Sequence, residues 1–261
     1  MTSTNLGRNR SASSLLFSGC IAVTASLALA QLSSADSLTT PKGDVVITVT
    51  GVDPETMQGR TAEFKATPTS GGTFDLRNQT SPGDLWSLTD LGVSGNVDPF
   101  TSLNYAITNN AAVTLLFTVS VTLPISPQGP ATVHGGSMAA SLTDANNNGL
   151  ATVATSGGIP FYSGQLDGAT VLSIYPHAFS QSVAFAGQTV NVPALNPGLP
   201  GPTLPSGPAL STIGIINRFT LTAGDMLSGN SFFVVEAVPE PNTLALIAMS
   251  LCFTMRIARR R

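Results

Sequence analysis

The chain has 261 residues, a formal net charge of −3 and only 10% charged residues, against about a quarter in ordinary soluble domains. Of its 11 basic residues, Arg8, Arg10, Arg256, Arg259, Arg260 and Arg261 lie at the two ends, so residues 31–239 set five basic against thirteen acidic side chains, a net charge of −8. Such a body repels phosphate backbones, which are bound through Lys and Arg, and nucleic acid is not an expected partner.

In chain order, residues 1–30 read as a secretory signal. Arg8 and Arg10 form a basic start, residues 15–30 an uncharged apolar run, and Ala28-Leu29-Ala30 the small-x-small pattern that precedes cleavage, here before Gln31. Ser33-Ser34-Ala35 is a second candidate cleavage site.

Residues 31–237 form the expected globular part. Cys20 and Cys252 lie outside it, so it holds no disulfide and no thiolate metal site. Two-residue periodicity dominates. Val113, Leu115, Phe117, Val119, Val121 and Leu123 share one face of an extended run, and mostly hydroxyl-bearing residues share the other. Period two scatters apolar residues around a helix but collects them on one face of a strand. Further strands are expected at 44–52, 61–67, 72–76, 131–134, 138–143, 150–154, 169–175, 182–186, 188–192, 212–221 and 231–237. Short strands joined by Gly, Asn, Asp and Pro predict an all-β antiparallel β-sandwich, Ig-like or jelly-roll. Residues 191–208 hold six prolines, and missing amide donors predict a long excursion there between late strands.

Candidate chemistry is sparse. Asp144-Ala145-Asn146-Asn147-Asn148-Gly149 matches the opening of a calcium loop, D-x-[DN]-x-[DN]-G, in which Asp144, Asn146 and Asn148 would turn alternate oxygens inward. Thr155 stands where that motif carries a bidentate glutamate, so the competing reading is a polar hairpin turn. His134-Gly135-Gly136-Ser137 resembles an oxyanion loop, but no G-x-S-x-G elbow accompanies it, and a bend beside a strand histidine is the plainer reading. Asp53, Glu55, Asp84 and Asp90 offer carboxylates of the kind glycosidases use, though their Pro and Gly neighbours indicate solvated turns. Trp86, Tyr105, Tyr162 and Tyr175 are either a sugar-stacking platform or core residues. No catalytic set emerges, and a non-enzymatic role without an obligatory cofactor is expected, with Ca2+ as the one metal the residues suggest.

The C-terminus is the most specific feature. Val238-Pro239-Glu240-Pro241 and Asn242 precede thirteen uncharged residues, 243–255, and Arg256, Arg259, Arg260 and Arg261 close the chain. The prolines impose an extended break, Asn242 is a good helix N-cap, and the arginines favour the cytoplasmic side of a membrane. Residues 238–261 resemble the PEP-CTERM sorting signal, which joins a Pro-Glu-Pro motif, one transmembrane helix and a terminal arginine cluster. The resemblance implies processing by an exosortase-type enzyme and anchoring in the inner membrane during sorting. It also implies delivery to the cell surface or extracellular matrix, where exopolysaccharide is a potential partner. The expected function is thus that of an exported structural protein, or alternatively a carbohydrate- or calcium-assisted adhesion module.

Overall fold

A computed structural model describes residues 43–96 and 99–238. The expected signal segment with Ala28 and Ala30, and the tail from Pro239 through Pro241 to the closing arginines, lie outside the described residues. In chain order the strands are β1 (Val45–Val52), β2 (Gly59–Ala66), β3 (Thr73–Leu76), β4 (Trp86–Asn96) and β5 (Phe100–Asn109). There follow β6 (Leu115–Pro124), β7 (Thr132–Thr143), β8 (Thr152–Ala154), β9 (Tyr162–Leu166) and β10 (Ala169–Ile174). The last are β11 (Ser180–Ser182), β12 (Thr189–Leu195), β13 (Leu204–Ser206), β14 (Thr212–Leu221) and β15 (Met226–Ala237). The described residues contain no helix, hence none long and apolar enough to cross a membrane.

Every strand pairing is antiparallel, and the strands form two sheets. One runs β10-β9-β14-β6-β1-β2, with β8 against β14 and β11 against β8. The other runs β12-β7-β15-β5-β4-β3, with β13 against β7. Their inner faces pack together as a β-sandwich. Along β6, Leu115, Phe117, Val119, Val121 and Leu123 are buried while the residues between them stay at least partly exposed. The same alternation along β14 buries Ile213, Ile215, Phe219 and Leu221, and places Phe219 opposite Phe117.

Phe219 is the meeting point of the core. It stacks on Phe117 at 5.5 Å, on Phe161 at 5.3 Å and, across the sandwich, on Tyr105 at 6.0 Å. Phe117 in turn meets the edge of Trp86 from the other sheet at 6.2 Å. Among the polar contacts that join the sheets, Asn217 Nδ2 donates to Ser231 Oγ at 2.8 Å, and the Tyr162 hydroxyl donates to the Phe232 carbonyl at 2.9 Å. Both bonds satisfy groups that burial would otherwise leave costly.

Three local expectations need correction. Residues 131–134 and 138–143 are one continuous strand, β7, with no bend at the glycines. Gly135 and Gly136 are there for close approach, since a Cβ would fall 2.5 Å from the Gly198 carbonyl oxygen and 2.6 Å from the Tyr162 hydroxyl. The proline-rich stretch is not strand-free either. β12 and β13, which carry Pro193 and Pro205, pair with β7, and the β12 register breaks between Val192 and Leu195, around Pro193. Proline is tolerated at such bulges and edges. Finally, β4, β5 and β9 lie outside the expected strands, and the strand expected at 182–186 gives way to β11, which ends at Ser182, and a turn. A register shift between Leu88 and Asp90 interrupts the alternation of β4, β5 carries Asn104 and several hydroxyl residues, and β9 holds Gly164.

Both ends of the described domain lie at one end of the sandwich. Val238 N donates to the Ala131 carbonyl at 3.0 Å, and a Cβ on Gly43 would fall 3.2 Å from Pro124, which the short segment 125–131 connects to β7. Asp167 fastens a turn at this same end. Its carboxylate accepts hydrogen bonds from Leu210 N, Ser211 N, the Ser211 hydroxyl and Thr212 N at 2.7–2.9 Å. Burial alone would raise its pKa, but these donors together hold it below the ordinary 3.8. A depressed carboxylate stabilises the fold above its unfolded value and loses that contribution as pH falls through its folded one. Asp167→Asn is therefore expected to cost at most about 1 kcal/mol at neutral pH, the exposed carboxylate being screened by solvent, with the gap to the parent closing below pH 3.8. Thermal unfolding followed by circular dichroism across an acid series checks this, and an undiminished gap at low pH would refute it.

Candidate functional site

The Asp144–Gly149 segment leaves β7 at the end of the sandwich opposite Gly43 and Val238. It crosses to β8 in the other sheet, so it is a crossover loop and not the hairpin turn the sequence also allowed. Asn147 and Gly149 take left-handed backbone conformations, with φ of 61° and 75°, as asparagine and glycine readily do. This curls the backbone around Asp144, which is 1% exposed. Asn148 N donates to Asp144 Oδ1 at 3.2 Å, and Gly149 N and Gly187 N each donate to Oδ2 at 2.8 Å. Asn146 Oδ1 accepts from Asn148 N at 3.0 Å, and Asn148 Oδ1 accepts from Leu150 N at 2.8 Å. The three residues the motif singles out thus share one loop, with their side-chain oxygens hydrogen-bonded to its amides.

A fourth residue, which the sequence motif does not contain, completes the cluster. Asp225, 0% exposed, precedes β15 and lies within hydrogen-bonding reach of Asp144. Its Oδ2 accepts from the Thr222 hydroxyl, and its Oδ1 has no hydrogen-bond partner. Burial, followed by the charge of Asp144, pushes the Asp225 carboxyl above the ordinary carboxylate value. For Asp144, burial acts upward, but the backbone donors prevail and hold it below that value. The surrounding backbone is tightly tied. Asn109 N donates to the Asp225 carbonyl at 2.9 Å, Gly224 N to the Asn109 carbonyl at 2.8 Å, and Asn146 Nδ2 to the Ala223 carbonyl at 2.7 Å.

A second feature lies on the solvent face of the other sheet. There β3, β4 and β5 border an open cleft of about 280 Å³, lined by Asp75, Arg77, Asp90, Gly92, Ser94 and Asn104 among others. Asn104 Nδ2 donates to Asp90 Oδ2 at 3.3 Å, and Arg77 Nε donates to Asp75 Oδ1 at 2.8 Å. Gly92 opens the floor, since a Cβ would fall 2.4 Å from Asn104 Oδ1. Asp90 is one of the carboxylates the sequence singles out. Its neighbours Asn104 and Asp75 come from other strands and carried no local signal.

The remaining candidates are scattered. His134 is 3% exposed within β7, tilted against Phe233 at 6.0 Å, and burial pushes its imidazole below the ordinary 6.5. His177 lies exposed in the segment after β10. Asp53 caps its own turn, accepting from Glu55 N at 2.9 Å and from the Thr56 hydroxyl at 2.7 Å. Trp86, Tyr105 and Tyr162 are core residues with at most 2% exposure. Only Tyr175 is partly exposed, packed on Phe179 at 4.3 Å. The aromatics therefore form no stacking platform.

No protein-family model matches the chain, and no curated protein matches it. Among solved structures, the crystal structure of the infectious bursal disease virus VP2 subviral particle shares 13% identity over 78% of this chain, at a TM-score of 0.09. The chain covers 64% of that one, and so slight a likeness carries no argument.

The amide ring around Asp144 generates a stability test. Asp144→Ala leaves the amides of Gly149 and Gly187 without their acceptor, while Asn148 N keeps Asn146 Oδ1. It is expected to lower the midpoint of thermal unfolding by several degrees and to speed hydrogen exchange at these two amides. Unchanged exchange there would contradict the assigned bonding.

Proposed function

We propose that this chain is an exported, non-enzymatic structural protein of the cell surface or extracellular matrix, sorted by a PEP-CTERM tail. The observation that carries the reading is the sequence of the tail: Val238-Pro239-Glu240-Pro241, thirteen uncharged residues, then Arg256, Arg259, Arg260 and Arg261. In this reading the tail lies in the inner membrane during sorting, an exosortase-type enzyme processes it, and residues 1–30 have directed export. The placement of Gly43 and Val238 at one end of the sandwich supports it, because a domain held from that end presents its opposite loops outward. The body's acidity argues against nucleic acid as a partner.

Within the sandwich class, the finer assignment proposed is a jelly roll and not an Ig-like fold. The strand order supports it. β5, β6, β7 and β9 alternate between sheets, and β14 returns between β6 and β9 while β15 returns between β5 and β7. β10 and β12 then flank β9 and β7, which completes two four-stranded sheets of jelly-roll order, with β1–β2 and β3–β4 added at one side.

Deleting residues 239–261 tests the sorting claim. The truncated protein is expected to vanish from the surface and matrix fractions and to collect in the soluble periplasmic fraction, as read by immunoblotting. Unaltered surface delivery would end the proposal.

A second reading, a carbohydrate-binding module, is favoured by the cleft over Gly92. Its volume suits about one sugar residue, near the small end of ligand sites, and Asp75, Asp90, Arg77 and Asn104 supply the acceptors and donors that vicinal hydroxyls require. Calorimetry of the full-length protein with the producing cell's polysaccharide should then give heat that Asp90→Ala and Asn104→Ala reduce at least tenfold. An athermal titration over a range of temperatures, or heat that both variants retain, would eliminate this reading.

A further inference from the structure

We propose that Asp144 and Asp225, with the amide oxygens of Asn146 and Asn148, form a low-affinity calcium site that clasps the loops at the end of the sandwich away from Gly43 and Val238. The proposal does not depend on how the protein is sorted.

The problem the structure poses is two buried acidic side chains in mutual reach, Asp144 at 1% and Asp225 at 0% exposure. The two salt bridges among the described residues, Lys65–Glu63 and Arg77–Asp75, lie elsewhere. Buried like charges need a compensating positive group. Oxygen by oxygen, the available valences point to a cation. Asp144 Oδ2 accepts from two amides and is full, but Oδ1 accepts from one and keeps a lone pair. Asp225 Oδ1, wholly buried, accepts nothing. The carbonyl oxygens of Asn146 and Asn148 each accept one amide and retain a second lone pair. An all-oxygen set with two carboxylates is the donor chemistry of calcium, water completing the shell. It offers no nitrogen or sulfur to attract zinc or copper. Two negative charges in place of the three or four of tight loops place the affinity at about 10⁻⁴–10⁻³ M, the range of extracellular modules. Asp225 thereby supplies, from a distant part of the chain, the second carboxylate that Thr155 fails to provide within the loop.

Such an ion would join three loops at once. Asp144 belongs to the β7–β8 crossover, its partner Gly187 to the β11–β12 segment, and Asp225 to the β14–β15 turn. Occupancy is therefore expected to appear as stability. Full-length protein in detergent, stripped with a chelator, should show an unfolding midpoint that climbs over ~0.1–10 mM calcium chloride at neutral pH. Equal magnesium should raise it far less, because magnesium dehydrates reluctantly and demands strict octahedral geometry. Asp225→Asn should abolish at least nine-tenths of the calcium response, yet without calcium unfold no earlier than the parent, since the substitution removes a buried like charge. A parent midpoint indifferent to calcium up to ~10 mM would overturn the site, and would leave a proton shared by the two carboxyls as the compensating group. An Asp225→Asn protein that responds to calcium as the parent does would overturn it equally.

Discussion

Everything in this domain hangs on the ring contacts around Phe219. A sandwich has no element that spans both layers, so its sheets cohere only through side chains that meet between them. Here β14 contributes Phe219, which stacks on Phe117 and Phe161 of its own layer and on Tyr105 of the facing one. Each such aromatic pair adds about 0.5–1.5 kcal/mol beyond the area it buries. With no cysteine among residues 31–239 and few charges, there is no covalent or ionic substitute for that apolar contact.

From that core the rest of the design follows. Because β14 and β15 are the last strands among the described residues and enter between earlier strands, they bind the early and late parts of the domain together. Asn217 and Ser231, one on each of these strands, hydrogen-bond to one another in the interior, a polar contact with directional demands that an apolar one lacks. The insertion also sorts the two ends of the sandwich. One end receives both chain termini of the described domain and is fastened at Asp167. The other collects the loops that carry Asp144 and Asp225.

The two ends use buried or hydrogen-bonded aspartate differently. Asp167 is exposed and has every oxygen engaged by donors of the segment that leads into β14, so it behaves as a fastener. Asp144 and Asp225 are both enclosed and share one neighbourhood, with one oxygen left over. Only the second arrangement has chemical capacity to spare.

Long strands with unbroken alternation were legible from residue order alone. The run 212–221 is the same in sequence and structure, and β6 and β1 differ from expectation only at their ends, because period two in a one-side-buried sheet is a local property of the chain. The loop at 144–149 was legible for a similar reason: Asn147 and Gly149 adopt left-handed geometry with little help from their surroundings. What only the tertiary structure decided is which strangers meet. β4 and β5 became strands despite Gly92, Gly95 and Asn104, because pairing with β15 and β3 satisfies their backbones. Prolines 193 and 205 were admitted to strands because the edge beside β7 offered pairing that needs no donor from them. Asp225 carries no motif at all. Its significance arises from the one fact a sequence cannot display, that folding shuts it away from water next to Asp144.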